Sequence, residues 1–242
     1  EPSERGRKEH RDITTPNPIL HADTALRRDQ TTDIQEYLSE GENNIAMLKL
    51  EYMYSPLKDV YFRADLGLLE EMFGGLGGEI LYRPFTENYA FGITMHRVRQ
   101  RDYDQKFEFR NYETTTGHLE FFYDFANGVS SQVLLGKYLA GDKGVTLDLS
   151  RRYQSGFTLG IFATKTNLSA EEFGEGSFDK GFYLSIPTSM FYSDFRTGNI
   201  TFGLHPLTKD GGSRLIQHNQ LYGILADTNE RALLRDWSDL LR

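Results

Sequence analysis

The chain has 242 residues, a formal net charge of −8 and a sequence pI of about 5.3. That length admits one large all-β domain, and the acidic balance leaves no electrostatic footprint for a nucleic-acid partner. The absence of Cys excludes a disulfide scaffold and thiolate zinc sites, and no run approaches the roughly 18 apolar residues of a membrane helix.

Only 38% of the residues are hydrophobic. That is little for a helical membrane protein but enough for a barrel, where every second strand residue faces lipid. The aromatic residues are 17 Phe and 14 Tyr against a single Trp, a bias that suits strands and the aromatic girdles of membrane barrels. The chain opens at Glu1 without a Met, which leads us to expect a processed or excised piece of a longer precursor.

Residues 1–43 are polar and interrupted by Pro16 and Pro18. A short helix is expected near Thr24 to Leu38, carried by Leu26, Ile34 and Leu38, within a linker or plug-like segment. From Ile45 the texture changes to period two. Leu48, Leu50, Tyr52 and Tyr54 alternate with Lys49, Glu51 and Met53. Val60, Phe62, Ala64 and Leu66 then oppose Tyr61, Arg63, Asp65 and Gly67. The glycine-rich run Gly74-Gly75-Leu76-Gly77-Gly78 lacks the Lys-Ser/Thr of a phosphate loop and reads as a tight turn.

Further along, Ile80 and Tyr82 oppose Glu79 and Arg83, and Tyr89, Phe91, Ile93 and Met95 oppose Gly92, Thr94 and His96. Leu119, Phe121 and Tyr123 oppose His118, Glu120 and Asp124. Asn127-Gly128 signals a two-residue hairpin turn, and a further turn is expected at Gly141-Asp142-Lys143-Gly144. Between them Val133 and Leu135 oppose Gln132 and Gly136, with Tyr138 grouped on the polar side. Val145, Leu147 and Leu149 oppose Thr146, Asp148 and Ser150, and three more such segments run near 157–164, 182–186 and 200–205. About ten strands result, with residues 100–116 and 167–180 as long loops or strand extensions. After Gly212, Leu215, Leu221, Leu225, Leu233, Leu234 and Trp237 are spaced more like an amphipathic helix.

Alternation alone is the mark of any half-buried antiparallel sheet. Here one parity is large and aliphatic or aromatic, and the other is Gly, Ser and Thr with isolated charges, as in the polar interior of a membrane barrel. The expected fold is therefore all-β: an antiparallel up-and-down transmembrane β-barrel over 44–206, a polar segment over 1–43, and a partly helical tail over 207–242. Arg97 and Arg99 share the parity of Phe91, Ile93 and Met95, so they lie beyond the hydrocarbon edge or the parity slips at a bulge near Met95.

No metal, cofactor or catalytic signature emerges. His118, Glu120 and Asp124 share a face, but positions i, i+2 and i+6 of a strand span roughly 20 Å and cannot converge on one ion alone. Glu70-Glu71 and Glu171-Glu172 are adjacent and diverge in an extended chain. Enzymatic activity is not expected.

Several stretches together resemble the C-terminal part of the YjbH family of exopolysaccharide-biosynthesis outer-membrane proteins, which includes capsule proteins of the GfcD type. They run from Met72 to Phe85, Gln100 to Gln105, Gly136 to Gly144, Glu172 to Gly181 and Leu207 to Leu215. The Glu172-Phe173-Gly174 stretch is the most specific. The resemblance implies a Gram-negative outer-membrane β-barrel that serves production or export of an extracellular polysaccharide. It also implies outer-membrane lipid, the polysaccharide, other export proteins and an N-terminal barrel region of the same precursor as partners. The alternatives are a soluble carbohydrate-binding β-protein, with the apolar parity as its core, and an outer-membrane enzyme acting on lipid or glycan. The lumen-facing candidates are Tyr61, Arg63, Asp65, Glu79, Arg83, His96, Glu120, Asp124, Gln132, Tyr138 and Asp148. A closed barrel of eight to ten strands is mostly filled by side chains and would not pass a glycan freely.

Overall fold

The computed structural model of the protein describes residues 37, 39–41, 44–169, 178–188, 191, 199–204 and 211–236. Ten strands follow one another: β1 (Leu48–Leu57), β2 (Val60–Leu68), β3 (Phe73–Tyr82), β4 (Tyr89–Arg101), β5 (Phe109–Asp124), β6 (Val129–Lys137), β7 (Lys143–Arg152), β8 (Thr158–Thr166), β9 (Asp179–Pro187) and β10 (Asn199–Leu204). Each pairs with its chain neighbour in a single antiparallel meander. Two short helices follow, α1 (Leu221–Ile224) and α2 (Glu230–Asp236). Among the described residues β1 and β10 remain the two edges of the sheet.

The register aligns the two parities into rows. Phe62, Ile80, Ile93, Leu119, Leu135 and Val145 stand opposite one another across six strands. One position along, Arg63, Glu79, Thr94 and His118 form the row on the other face. Period two allows no mixing of these rows without a bulge. Bulges fall between Tyr54 and Leu57 and between Arg99 and Arg101.

The sheet is strongly curled, as the reach of the chain requires. The Gly212 N–H donates to Asp142 in the β6–β7 turn at 2.9 Å, and a side chain at Gly212 would begin 2.9 Å from Thr164 of β8. Seven residues later Asn219 donates to Glu51 of β1 at 2.9 Å. Seven residues reach at most about 25 Å, whereas β1 and β8 of a flat sheet lie about 34 Å apart. The polar face is therefore the inside of a curve.

The hairpins depart from the sequence expectation. Asn127-Gly128 is not a two-residue turn, because only Gly128 has positive φ, at 79°. The Gly128 N–H donates to Phe125 and the Phe125 N–H to Val129, which is a type I turn closed by a left-handed glycine. The same arrangement recurs at Tyr138–Gly141 and Tyr153–Gly156. Lys143 and Gly144 accordingly belong to β7, not to a turn. The run Gly74 to Gly78 is not a turn either but the middle of β3. Its neighbours leave no room for side chains: a Cβ at Gly75 would lie 2.1 Å from the Arg97 carbonyl oxygen, and one at Gly77 2.3 Å from the His96 ring. Residues 100–116 are a strand extension, since β4 and β5 are 13 and 16 residues long. Of the expected N-terminal helix only Tyr37, itself helical, is described; the rest of it, Trp237 and residues 170–177 lie outside the described residues.

Gly75→Val should part the β3–β4 pairing and cost about 1–3 kcal/mol. Gly223→Ala, in α1 with nothing within 4 Å of the new methyl, should leave stability unchanged or raise it by up to about 1 kcal/mol. Urea unfolding in detergent micelles, followed by far-UV circular dichroism, compares the two.

Candidate functional site

Strand parity places Tyr61, Arg63, Asp65, Glu79, His96, Glu120, Asp124, Gln132 and Asp148 on the inner face of β2 to β7. Arg83 and Tyr138 follow directly on β3 and β6 and are also buried. The eleven candidates form three groups rather than one centre. In the first, Arg63 donates to Glu79 at 3.2 Å and to Asp65 at 2.8 Å, with Glu51 at 3.8 Å; His96 Nε2 lies 3.1 Å from Asp65. In the second, Arg83 stands 3.7 Å from Asp124, and Tyr61 packs beside it against an apolar cluster of Leu81, Ala90, Phe122 and Leu221. In the third, the Tyr138, Thr146 and Thr164 hydroxyls form a chain at 2.6 and 2.8 Å, and Tyr183 donates to Asp148 at 2.9 Å. Gln132 faces Asp148 across the β6–β7 ladder. Glu120, between the first two groups, accepts from Thr94 at 3.1 Å.

The inner face is not bare. Residues 211–236 run along it from the end where β1 begins to the opposite end. At the first end Leu139 N–H donates to the Ser213 carbonyl. Midway, Gln217 accepts from Arg63 at 2.5 Å and the Leu221 N–H donates to both oxygens of Glu79, at 3.1 and 3.0 Å. Gln220 donates to Glu120 at 2.7 Å. Tyr222 stacks on Phe122 with centroids 3.8 Å apart, carries Arg83 on its ring at 4.2 Å, and donates its hydroxyl to Asp124 at 2.9 Å. At the far end Arg231 donates to the Asp124 and Phe125 carbonyls, and Arg152 pairs with Asp227. The filling segment is thus the C-terminal tail. Of residues 1–43, expected as a linker or plug-like segment, only 37 and 39–41 are described, and Tyr37 is buried at the first end. The expected helical stripe shrinks to α1 and α2; Leu215 and Leu221 are buried whereas Leu233 and Leu234 are exposed.

That first end is tied by Arg101. Its guanidinium donates to carbonyls of Ile45, Ala46, Glu70, Gln105 and Lys106, which binds the approach to β1 to two hairpin turns. Around it Tyr37, Leu69, Met72, Phe73, Val98, Leu139, Ala140 and Leu215 make an apolar core. Glu70 is buried there and accepts the Ile216 N–H at 2.9 Å. Burial pushes its carboxyl from the ordinary 4.5 up to about 8.

The outer face carries the apolar parity, and it is exposed: Leu50 by 68%, Met95 by 63% and Ile161 by 55%. Toward the far end it becomes aromatic, with ring pairs Tyr52–Tyr54, Tyr89–Phe91, Phe91–Phe121, Tyr123–Phe125 and Tyr153–Phe157. Toward the first end it becomes charged: Arg97 pairs with Glu113 and Arg99 donates to the Arg110 carbonyl. The parity therefore runs unbroken through Met95, and the bulge lies further on, at Arg99 and Arg101.

Sequence reasoning missed Arg101, Glu70, Gln217, Gln220 and Tyr222. The side-chain hydrogen-bond partners of Glu70, Gln217, Gln220 and Tyr222 lie more than 90 residues away, and those of Arg101 outside its own turn more than 30. The buried Leu215 and Leu221 were the one signal pointing inward.

A family model described as exopolysaccharide biosynthesis protein YbjH matches residues 16–227. The chain is 40% identical over 201 residues to a protein of Escherichia coli (strain K12) named uncharacterized lipoprotein YjbH. The alignment covers 81% of this chain and 29% of that protein, so the chain spans less than a third of the curated relative's length. No solved structure matches.

Arg63→Ala strands the buried Glu79 and Asp65 carboxylates and should cost about 3–5 kcal/mol, read by the same urea titration. Glu70 gives a pH signature. The unfolded chain releases this proton near 4.5 and the folded chain holds it to about 8, so between those values the folded state binds more protons and stability falls as pH rises. Glu70→Gln should flatten that decline in melting curves taken from pH 5 to 8.

Proposed function

The chain belongs to the YjbH family of exopolysaccharide biosynthesis proteins, and from that premise we propose that it is a β-barrel unit of the Gram-negative outer membrane serving polysaccharide export without catalysing a reaction. The observation that carries this reading is the inversion of the sheet: its charges are inside and its large apolar side chains outside. A soluble carbohydrate-binding protein with an apolar internal core does not match that arrangement. Exposed apolar area on this scale needs a cover, and lipid bounded by an aromatic girdle supplies one. The charged pair Arg97–Glu113 then marks the edge of the band, beyond which the β4–β5 hairpin projects. The E. coli relative, named a lipoprotein, supports a membrane address for the longer protein. Further strands of such a precursor, or other export proteins, are the partners this reading calls for at the β1 and β10 edges.

The interior weighs against a standing pore. A polar lumen lined by Arg63, Glu79, Glu120 and Asp124 is wet enough for glycan hydroxyls, but the tail occupies it. We therefore place the unit in a system that opens it, or that uses its surface, rather than in free diffusion.

The membrane reading is tested at Ile93, on the outer row. Ile93→Arg should cost about 2–4 kcal/mol at the bilayer midplane and deplete the heat-modifiable species from outer-membrane fractions, with Ile93→Val near wild type. Cells lacking the protein should show less surface polysaccharide. A monomer soluble without detergent, indifferent to Ile93→Arg, would sink the proposal.

A further inference from the structure

The contacts between tail and wall are of an unusual chemical kind. The polar wall groups here are charged, and the tail groups that bond them are neutral: a carboxamide at Gln217 and Gln220, a peptide N–H at Leu221, a phenol at Tyr222; the Leu221 side chain packs on Leu81, Ala90 and Phe122. Within the wall Arg63 is compensated by Glu79 and Asp65, and Arg83 by Asp124, whereas the charge acting favourably on Glu120 is that of Arg214, in the tail before this stretch. Withdrawing residues 217–222 alone leaves these ion pairs in place, since the charged contacts of the tail, Asp227 with Arg152 and Arg214 toward Glu120, lie outside that stretch. What it vacates is a line of acceptors (Glu79, Glu120, Asp124), a donor (Arg63) and a flat ring (Phe122).

We propose that this line, on β2, β3 and β5, is a binding track for a neutral polysaccharide, and that residues 217–222 occupy it as an internal mimic of that ligand. The inference rests on the export reading above and adds the ligand class and the means of regulation. A sugar hydroxyl both donates and accepts, so one polymer can satisfy the carboxylates and the guanidinium in turn. The C–H face of a pyranose can take the place of the Tyr222 ring on Phe122, now stacked at 3.8 Å and 10°. Three carboxylates along the track disfavour a polyanion. The tail is suited to yield: residues 213–217 have no regular structure and α1 is a single turn of four residues. Its hold on the track is a set of separate hydrogen bonds, one stack and the single buried side chain of Leu221.

A competitor inside the protein lowers apparent affinity by the fraction of time the track is free. Loosening the tail at Gln220→Ala and Tyr222→Ala, both outside the wall, should therefore raise affinity. The measurement is calorimetric titration of the full chain, in detergent micelles, with maltoheptaose and separately with hexagalacturonate. We expect at least about tenfold tighter maltoheptaose binding by the double variant, no gain for hexagalacturonate, and loss of the gain when Glu120→Ala is added. Heat-modifiable migration verifies that each variant is folded; if the double variant is not, Tyr222→Phe, which removes the hydroxyl that bonds Asp124 and leaves the ring, should still give a gain of a few-fold. A folded, tail-loosened variant with no gain for maltoheptaose, or with equal gains for both sugars, overturns the proposal. That result leaves the export reading standing if the wild type fractionates with outer membranes, whereas a soluble wild type would remove both.

Discussion

The interior is organised by the guanidinium of Arg63. It lies among three carboxylates from three adjacent strands, Glu51, Asp65 and Glu79, at a depth where an uncompensated charge would be prohibitive. Pairing it fixes the register of β1, β2 and β3 against one another, since a slip of one residue would send every partner to the other face. It also fixes the position of the tail, because Gln217 is held by Arg63 and Leu221 by the same Glu79 that Arg63 orients. Sheet and filling segment thus share one electrostatic anchor.

Inversion of the two faces follows from the same requirement. A ten-stranded sheet that keeps its charges on the inside of a curve must present its aliphatic rows outward, and in water that surface would be a liability for aggregation. On the proposed reading lipid is the cover for that surface, and the aromatic rim on one side of the apolar rows is in keeping with it. The interior then acts as a folded core in its own right, built from ion pairs, hydroxyl chains and the tail, with an apolar cluster at the first end and another under Leu221.

Much of the sheet was legible in the chain because period two is written residue by residue: the rows containing Ile93 and Thr94 separate by inspection, and each of the ten strands overlaps a segment of alternation, although β3 and β5 begin well before the alternation read for them. The glycine run of β3 was not legible, since its cause is the His96 ring and the Arg97 carbonyl of the next strand, not any local preference. The hairpin at Asn127 misled for a related reason: the dipeptide suits a two-residue turn, but closure from Phe125 uses the glycine alone. The inward-facing charges could be named from parity, yet their grouping could not, because parity specifies a face and not a partner. The tail was furthest from reach. Its contacts join residues such as Arg63 and Gln217, 154 positions apart, and nothing in the spacing of Leu215 and Leu221 says which wall they will meet.

The hairpin-by-hairpin connectivity has a consequence for how the molecule assembles. Each strand can pair as soon as its predecessor is in place, so the sheet needs only short loop closures and can grow in chain order. The tail is different, for its docking sites on β2, β3 and β5 are contributed by strands synthesised long before it. It can settle only after the sheet has curled, which makes its insertion a late kinetic step with a long loop to close. Until then the curled sheet carries an open, hydrated interior, which the tail fills as it docks.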